Sequence, residues 1–201
     1  MAGNLLVSTA YLPPVEYFSL ISHTDEIFIE TEENYLKQSY RNRCYILEAH
    51  GPQLLTVPVL QGSQHKTPIK DIKIDYSKRW QQVHLRAISA SYRASPYFQF
   101  YFESIEKIIS KKADYLFDLN MELTESLLKM MKIETQLTYT TYFQPVENNE
   151  NDFRYKLSPK NESDFLTREY IQVFNNNNTF VKGLSIIDLI FNMGPEAVDY
   201  L

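Results

Sequence analysis

Two arginines bracket an asparagine at Arg41-Asn42-Arg43, and the chain's only cysteine, Cys44, follows at once in the stretch "YRNRCYIL". If this stretch is extended, alternate residues share a face, so Arg41 and Arg43 point the same way with roots roughly 7 Å apart. Forked donors at that spacing grip a phosphate or carboxylate bidentately. The alternative is a solvated strand end, or ion pairs with Glu30, Glu32 and Glu33 just upstream. Asn42 and Cys44 fall on the opposite face. A lone cysteine in an apolar run reads as a small buried hydrophobe rather than a nucleophile.

His84 is the second candidate. It lies one helical turn after Trp80 and one before Ile88, so it faces the interior or a cleft. There it can accept a proton from an amine or hydroxyl, or stand as a structural histidine bonded to a backbone carbonyl. Lys66, in the loop "QGSQHKTP", could cover an anionic ligand or be a solvated loop lysine, but the loop lacks the glycine spacing of a phosphate-binding Walker sequence. Asp75 reads as a turn residue before a helix, with a substrate contact as the alternative. Asp118 and Asn120 are polar positions inside an apolar helix, at a cleft or at the water boundary.

The elements that must position these groups follow from the hydrophobic pattern. "NLLVSTA" reads as a buried strand, "VEYFSLIS" as a short helix burying Val15, Phe18 and Ile21, and "EIFIET" as a second strand. Strand, loop, helix and strand in so short a span predict a parallel pair with a crossover. Residues 43–49 and 53–60 read as a hairpin, with Pro58 confining the second strand to an edge or a bulge. Residues 69–75 alternate as a strand or form a connection packed by isoleucines. From residue 77 helices dominate. An amphipathic one has Ser77 as N-cap and Trp80, Val83, His84, Ala87, Ile88 and Tyr92 on its apolar side. Two more follow, from Pro96 to Ser110 and from Tyr115 to Met131, before "QLTYTTYF" returns to β composition. Polar loops "VENNEND" and "NNNN" precede a short apolar helix at 186–191 that docks on the core and stops at Gly194-Pro195. The expected class is α/β, with α+β as the alternative: an N-terminal mixed β-sheet with a short crossover helix, then a mainly helical half packed on it. One domain over residues 1–201 is expected, mostly β to 76, helical over 77–132, and strand, loops and docking helices thereafter.

Composition narrows the function. Net charge is −5 among 201 residues, which gives no footprint for DNA. No run approaches a membrane span, the start lacks a basic leader, and one cysteine precludes an internal disulfide, so a reducing cytoplasm is the expected setting. GxGxxG, GxSxG, HExxH and DxD are all absent, and no cofactor or metal is expected. The loop "TAYLPPVEYF" sits where adenylyltransferase-like folds carry HxGH, without either histidine.

Several stretches, in order along nearly the whole chain, resemble the WbqC-like protein family: "STAYLPPVEYF", "ENYLKQSYRNRCYI", "LTVPV", "KTPIKDIKIDYSKRWQQVHLRAISASYRASPYF", "FDLNMEL" and "LSIIDLIFNMGPEA". The combination resembles Bacteroidetes members. The resemblance implies a place in O-antigen or other surface-polysaccharide clusters, where a glycine transferase role has been proposed for some members. It adds weight to Tyr11, Pro13, Tyr17, Tyr35, Arg41, Asn42, Arg43, Trp80, His84, Tyr92 and Asp188, and none to Cys44. On this reading Arg41 and Arg43 hold an anionic donor or sugar phosphate, and His84 takes the proton of the attacking amine or hydroxyl. Tyr17, Trp80 and Tyr92 wall a sugar ring. The expected partners are a sugar or acyl-donor substrate, with a carrier protein or an aminoacyl-tRNA as alternative donors. A non-catalytic glycan-binding or assembly protein is the rival reading, and a divergent nucleotide-binding enzyme the third.

Overall fold

The computed structural model describes residues 5–60, 66–145, 150–160, 168–174 and 179–201. Most of the loop around Lys66, and the centres of the two asparagine-rich loops, lie outside the described residues. Strand β1 (Leu5–Ser8) leads through a loop into helix α1 (Val15–Ile21), and β2 (Glu26–Glu30) returns beside β1 in parallel, Leu5 opposite Ile27 and Ser8 opposite Glu30. Val7, Ile27 and Ile29 are fully buried, as are Phe18 and Ile21 of the crossover helix, so the apolar pattern is spent on one shared core.

The hairpin is β3 (Arg43–Glu48) and β4 (Gly51–Thr56), turning at Gly51 with φ near +118°, a conformation open to glycine. Pro58 ends this ladder. The chain then forms only the two-residue β5 (Val59–Leu60), which pairs with β6 (Lys73–Ile74). Between them residues 69–71 make a 3₁₀ turn, so the 69–75 stretch is chiefly a connection held down by buried Ile69, Ile72 and Ile74.

Helices α2 (Trp80–Tyr92), α3 (Phe98–Ser110) and α4 (Leu116–Met130) follow. Ser77 does not cap α2, contrary to its expected role. Its N–H is drawn instead to the Asp75 carboxylate at 2.8 Å, an Asx turn that delays the helix to Trp80. Val83 is 58% exposed rather than on the apolar side, because the buried stripe runs through Trp80, His84, Ala87, Ile88, Ser91 and Tyr92. Strand β7 (Gln136–Tyr139) then joins the far side of β2, again parallel, giving the order β1-β2-β7. The parallel and antiparallel pairings therefore form separate ladders within an α/β fold.

Helix α5 (Ile186–Met193) is buried around nearly its whole circumference. It is locked by backbone bonds from Ile186 N–H to the Pro13 carbonyl and from Ser185 N–H to the Tyr45 carbonyl, both 2.8 Å, which tie the C-terminal helix to the β1–α1 loop and the hairpin. Gly194 ends it at φ +57°, ψ −127°, and a Cβ there would run into the Tyr97 ring. Gly194→Ala should therefore lose about 2 kcal/mol or more of unfolding free energy. Urea denaturation checks this, and a loss below about 0.5 kcal/mol would contradict the steric argument.

Candidate functional site

Arg41 is the centre of the most constrained site. It precedes β3 in a turn, so the alternation assumed for Arg41 and Arg43 does not apply, and Arg41 and Asn42 are both buried. The Arg41 guanidinium forks onto Glu33, with Nε to Oε1 at 2.8 Å and Nη2 to Oε2 at 2.5 Å. Nη2 also reaches Ser8 Oγ at 2.6 Å, and that hydroxyl donates onward to the Arg154 carbonyl at 3.1 Å. The Arg41 main-chain carbonyl accepts from Asn120 at 2.7 Å, which places Asn120 inside while Asp118 is exposed.

Sequence reasoning missed Arg154. It is buried beside Arg41 and held by Asp152 through Nε and Nη2 (3.0 and 2.6 Å) and by Glu30 through Nη1 at 2.8 Å. The three glutamates proposed as ion-pair partners thus divide: Glu33 takes Arg41, Glu30 takes Arg154, and Glu32 takes the exposed Lys70. Two buried guanidiniums face three carboxylates, so the network is internally compensated and net negative. The only signal for Arg154 in the sequence was an arginine within apolar "FRYKL", which spacing alone could not link to Glu30.

Arg43 stands apart from this network. It is half-buried opposite Thr56, and its Nε has no partner among the described residues. Tyr35 lies near both arginines. Burial pushes its hydroxyl up to about 12, against the pull of the Arg43 and Arg41 charges. Asn42 closes the hairpin where Pro58 prevents further pairing: its carbonyl accepts from Val57 N–H at 2.8 Å and its side-chain amide donates to the Val57 carbonyl at 2.9 Å. Cys44 is buried, and burial raises its thiol well above the usual range, so packing is its role here.

A cavity of about 20 Å³ opens between these groups, lined by Ser8, Thr9, Tyr17, Tyr40, Arg41 and Arg154 among others. It lies where β1 gives way to its loop, the carboxyl edge at which open parallel sheets bind ligands. Glu16, on the first turn of α1, is buried with Oε1 accepting from Gly183 N–H at 3.0 Å and Oε2 unpartnered among the described residues. Burial raises its pKa, and the Gly183 bond and Lys182 oppose that only in part.

His84 and Trp80 lie elsewhere, in the interior rather than a cleft. The Tyr11 hydroxyl and His84 Nδ1 are 2.9 Å apart, and the Trp80 ring packs edge-on to His84 at 5.1 Å. The Thr56 backbone carbonyl engages the ring's other side, so the imidazole N–H points there and Nδ1 accepts from Tyr11. Burial lowers the His84 pKa to about 4, and the ring is neutral at physiological pH. The structure therefore brings Arg41 and Tyr17 to one cavity and leaves His84 and Trp80 in a second cluster. The two are linked by the loop that carries both Thr9 and Tyr11. Lys66 is exposed.

The WbqC-like family profile matches residues 9–165 and 161–200, a span that contains both clusters apart from Ser8. The chain belongs to the WbqC-like protein family. It is also similar to the uncharacterised protein Rv1507c of Mycobacterium tuberculosis, 27% identical over 225 residues that cover 98% of this chain and 96% of that one. No solved structure matches. Among the described residues no helix is long and apolar enough to cross a membrane, and no group of metal-ligating side chains gathers.

The family-weighted Tyr92 and Asp188 form a third cluster. Asp188, on α5, is fully buried and accepts from the Tyr170 hydroxyl at 2.7 Å. The Tyr92 hydroxyl faces the same carboxylate, without closing a full hydrogen bond to Oδ1, and accepts from Leu47 N–H at 2.9 Å. Tyr92 is thus wholly interior, not a cavity wall. Burial, only partly offset by Tyr170 and Tyr92, raises the Asp188 pKa to about 6.

Two consequences are measurable. Glu33→Gln strands the buried Arg41 charge and should cost about 3–5 kcal/mol of stability, whereas Glu32→Gln, whose partner Lys70 is exposed, should cost far less. Equal losses in denaturation would contradict the network. For Asp188 the folded pKa exceeds the unfolded value of about 3.9, so the folded state binds the proton more tightly. That stabilisation is full below about pH 4 and is lost as pH rises through about 6, on the order of 3 kcal/mol in all. Asp188→Asn should flatten this part of the stability–pH curve. The same slope in both proteins would contradict the assignment.

Proposed function

We propose that this WbqC-like protein is a cytoplasmic transferase in bacterial surface-polysaccharide assembly, moving a glycyl or other small acyl group onto an amino sugar. The observation that carries this reading is the cavity at the carboxyl edge of the parallel sheet, lined by Tyr17, Tyr40, Arg41 and Arg154. Its volume of about 20 Å³ has room for little more than one water-sized group, so a donor would enter only by its small end. Arg43 is half-buried and joins no ion pair among the described residues, so its guanidinium keeps capacity for an anionic group of donor or sugar phosphate outside the buried network.

In the reaction the sugar amine attacks the donor carbonyl, a C–N bond forms, the bond to the carrier oxygen or sulfur breaks, and the amine proton passes to a base. His84 remains our candidate for that role through Tyr11, whose hydroxyl it holds on the loop beside the cavity. The neutral ring is the form that can accept. Trp80 and Tyr92 fix the helix that carries it.

One observation favours the non-catalytic reading: each guanidinium in the cavity wall is already paired, so the site could hold a glycan precursor without reacting. Purified protein incubated with glycyl and acyl donors, as thioesters or aminoacyl-tRNA, and nucleotide-linked amino sugars separates the two. We expect a mass gain of one acyl group on the sugar. Tyr17→Phe and His84→Gln should each lower turnover at least about tenfold, equivalent to 1.4 kcal/mol, with the fold intact by circular dichroism. Saturable sugar binding with no mass gain from any donor would favour the binding protein, and full activity in His84→Gln would remove His84 from the mechanism.

A further inference from the structure

Residues 76–102 hold Lys78, Arg79, Arg86 and Arg93 and no acidic residue, in a chain whose net charge is −5. Folding places this imbalance on one surface. Arg79, Arg86 and Arg93 recur every seven residues, so they line up along the outer face of α2, each step about 10.5 Å along the axis. All three are exposed, and none is paired with a carboxylate among the described residues. Unpaired like charges along one stripe repel, and folding gains nothing from aligning them.

The stripe borders a groove between α2 and α3 with a volume of about 490 Å³. Its lining combines Arg86, Ser89 and Arg93 with the apolar Leu85 and Ala90 on the α2 side, and Phe102 with Glu106 on the α3 side. No ion pair joins Glu106 to either arginine among the described residues. The exposed apolar side chains Val83, 58% accessible, and Phe100, 75%, flank the same two helices. The groove is open rather than enclosed, so it would cover little of a small ligand and suits a larger partner.

We infer that this groove docks an acidic amphipathic helix of a partner protein. A helix laid beside α2 has the same rise per residue, so carboxylates seven residues apart meet Arg86 and Arg93 in register while the apolar side chains between them rest on Leu85, Ala90 and Phe102. Glu106 sets polarity by favouring a basic residue on the partner's far edge. Charge complementarity of this kind governs orientation and encounter rate, and it weakens with salt. The surface shares no residue with the cavity of the proposed transferase site, and it stands whether or not that activity is found.

The test uses the full chain and a synthetic helical peptide of about 22 residues, long enough to hold a helix, with glutamates seven apart along one edge and leucines beside them. A scrambled peptide of the same composition is the control. Fluorescence anisotropy at low salt should show saturable binding of the designed peptide only. Arg86→Glu/Arg93→Glu should weaken it at least about tenfold, and a peptide with lysines in place of the glutamates should bind that variant. Equal binding of the scrambled peptide, or failure of the charge swap, overturns the inference. So does Arg86- and Arg93-dependent binding to phosphatidylglycerol vesicles without peptide binding, which makes the surface a membrane contact. Salt-sensitive self-association lost in the same variant, seen by light scattering, overturns it in favour of a second copy offering the acids of α4.

Discussion

Two guanidiniums are held inside this protein, and the carboxyl edge of its parallel sheet is organised around neutralising them. Arg41 arrives from the turn before the hairpin and Arg154 from a loop late in the chain, while Glu30 ends β2 and Glu33 follows it. Ser8 at the end of β1 bridges them, accepting from one arginine and donating to the backbone of the other. Burying such charges without partners would cost several kcal/mol each, so the pairing is a condition of the fold rather than a bonus to it. It pins segments far apart in sequence to one spot. The cavity exists because those segments converge there.

The remaining polar interior follows the same logic with neutral or protonatable groups. His84 is satisfied between a tyrosine hydroxyl and a backbone carbonyl, which fixes its tautomer and keeps it uncharged. Asp188 lies among two tyrosines and Gln172, with no ion-pair partner among the described residues, so burial makes its charge expensive. Both clusters touch elements that the C-terminal helix braces: the β1–α1 loop through Pro13 and the hairpin through Tyr45. The sheet edge, the histidine cluster and the aspartate cluster are therefore mechanically joined, and the small cavity lies at the first of them.

Much of the architecture was legible. The strand–helix–strand opening, the break at Pro58, the helical half and the docking helix all follow from periodicity and proline placement, because those signals are local. The shortfalls were also local in cause. An Asx turn displaced the start of α2 from Ser77, and a turn at Arg41 removed the alternation on which the paired-arginine geometry rested. Asn42, weighed as a ligand contact, completes a hairpin that proline leaves unfinished.

By itself the sequence determined the class of fold, the family and the packing role of Cys44, and it marked Arg41 as a candidate for an anion, since each depends on residue type and near neighbours. Only the tertiary structure decided which anion. It chose Glu33, brought Arg154 from 113 positions away to share Ser8, and set His84 behind the loop rather than in the cavity. The physical reason is that a charge's partner is fixed by distance in space, and burial makes that choice binding, whereas spacing along the chain constrains it only within one strand or one turn of helix.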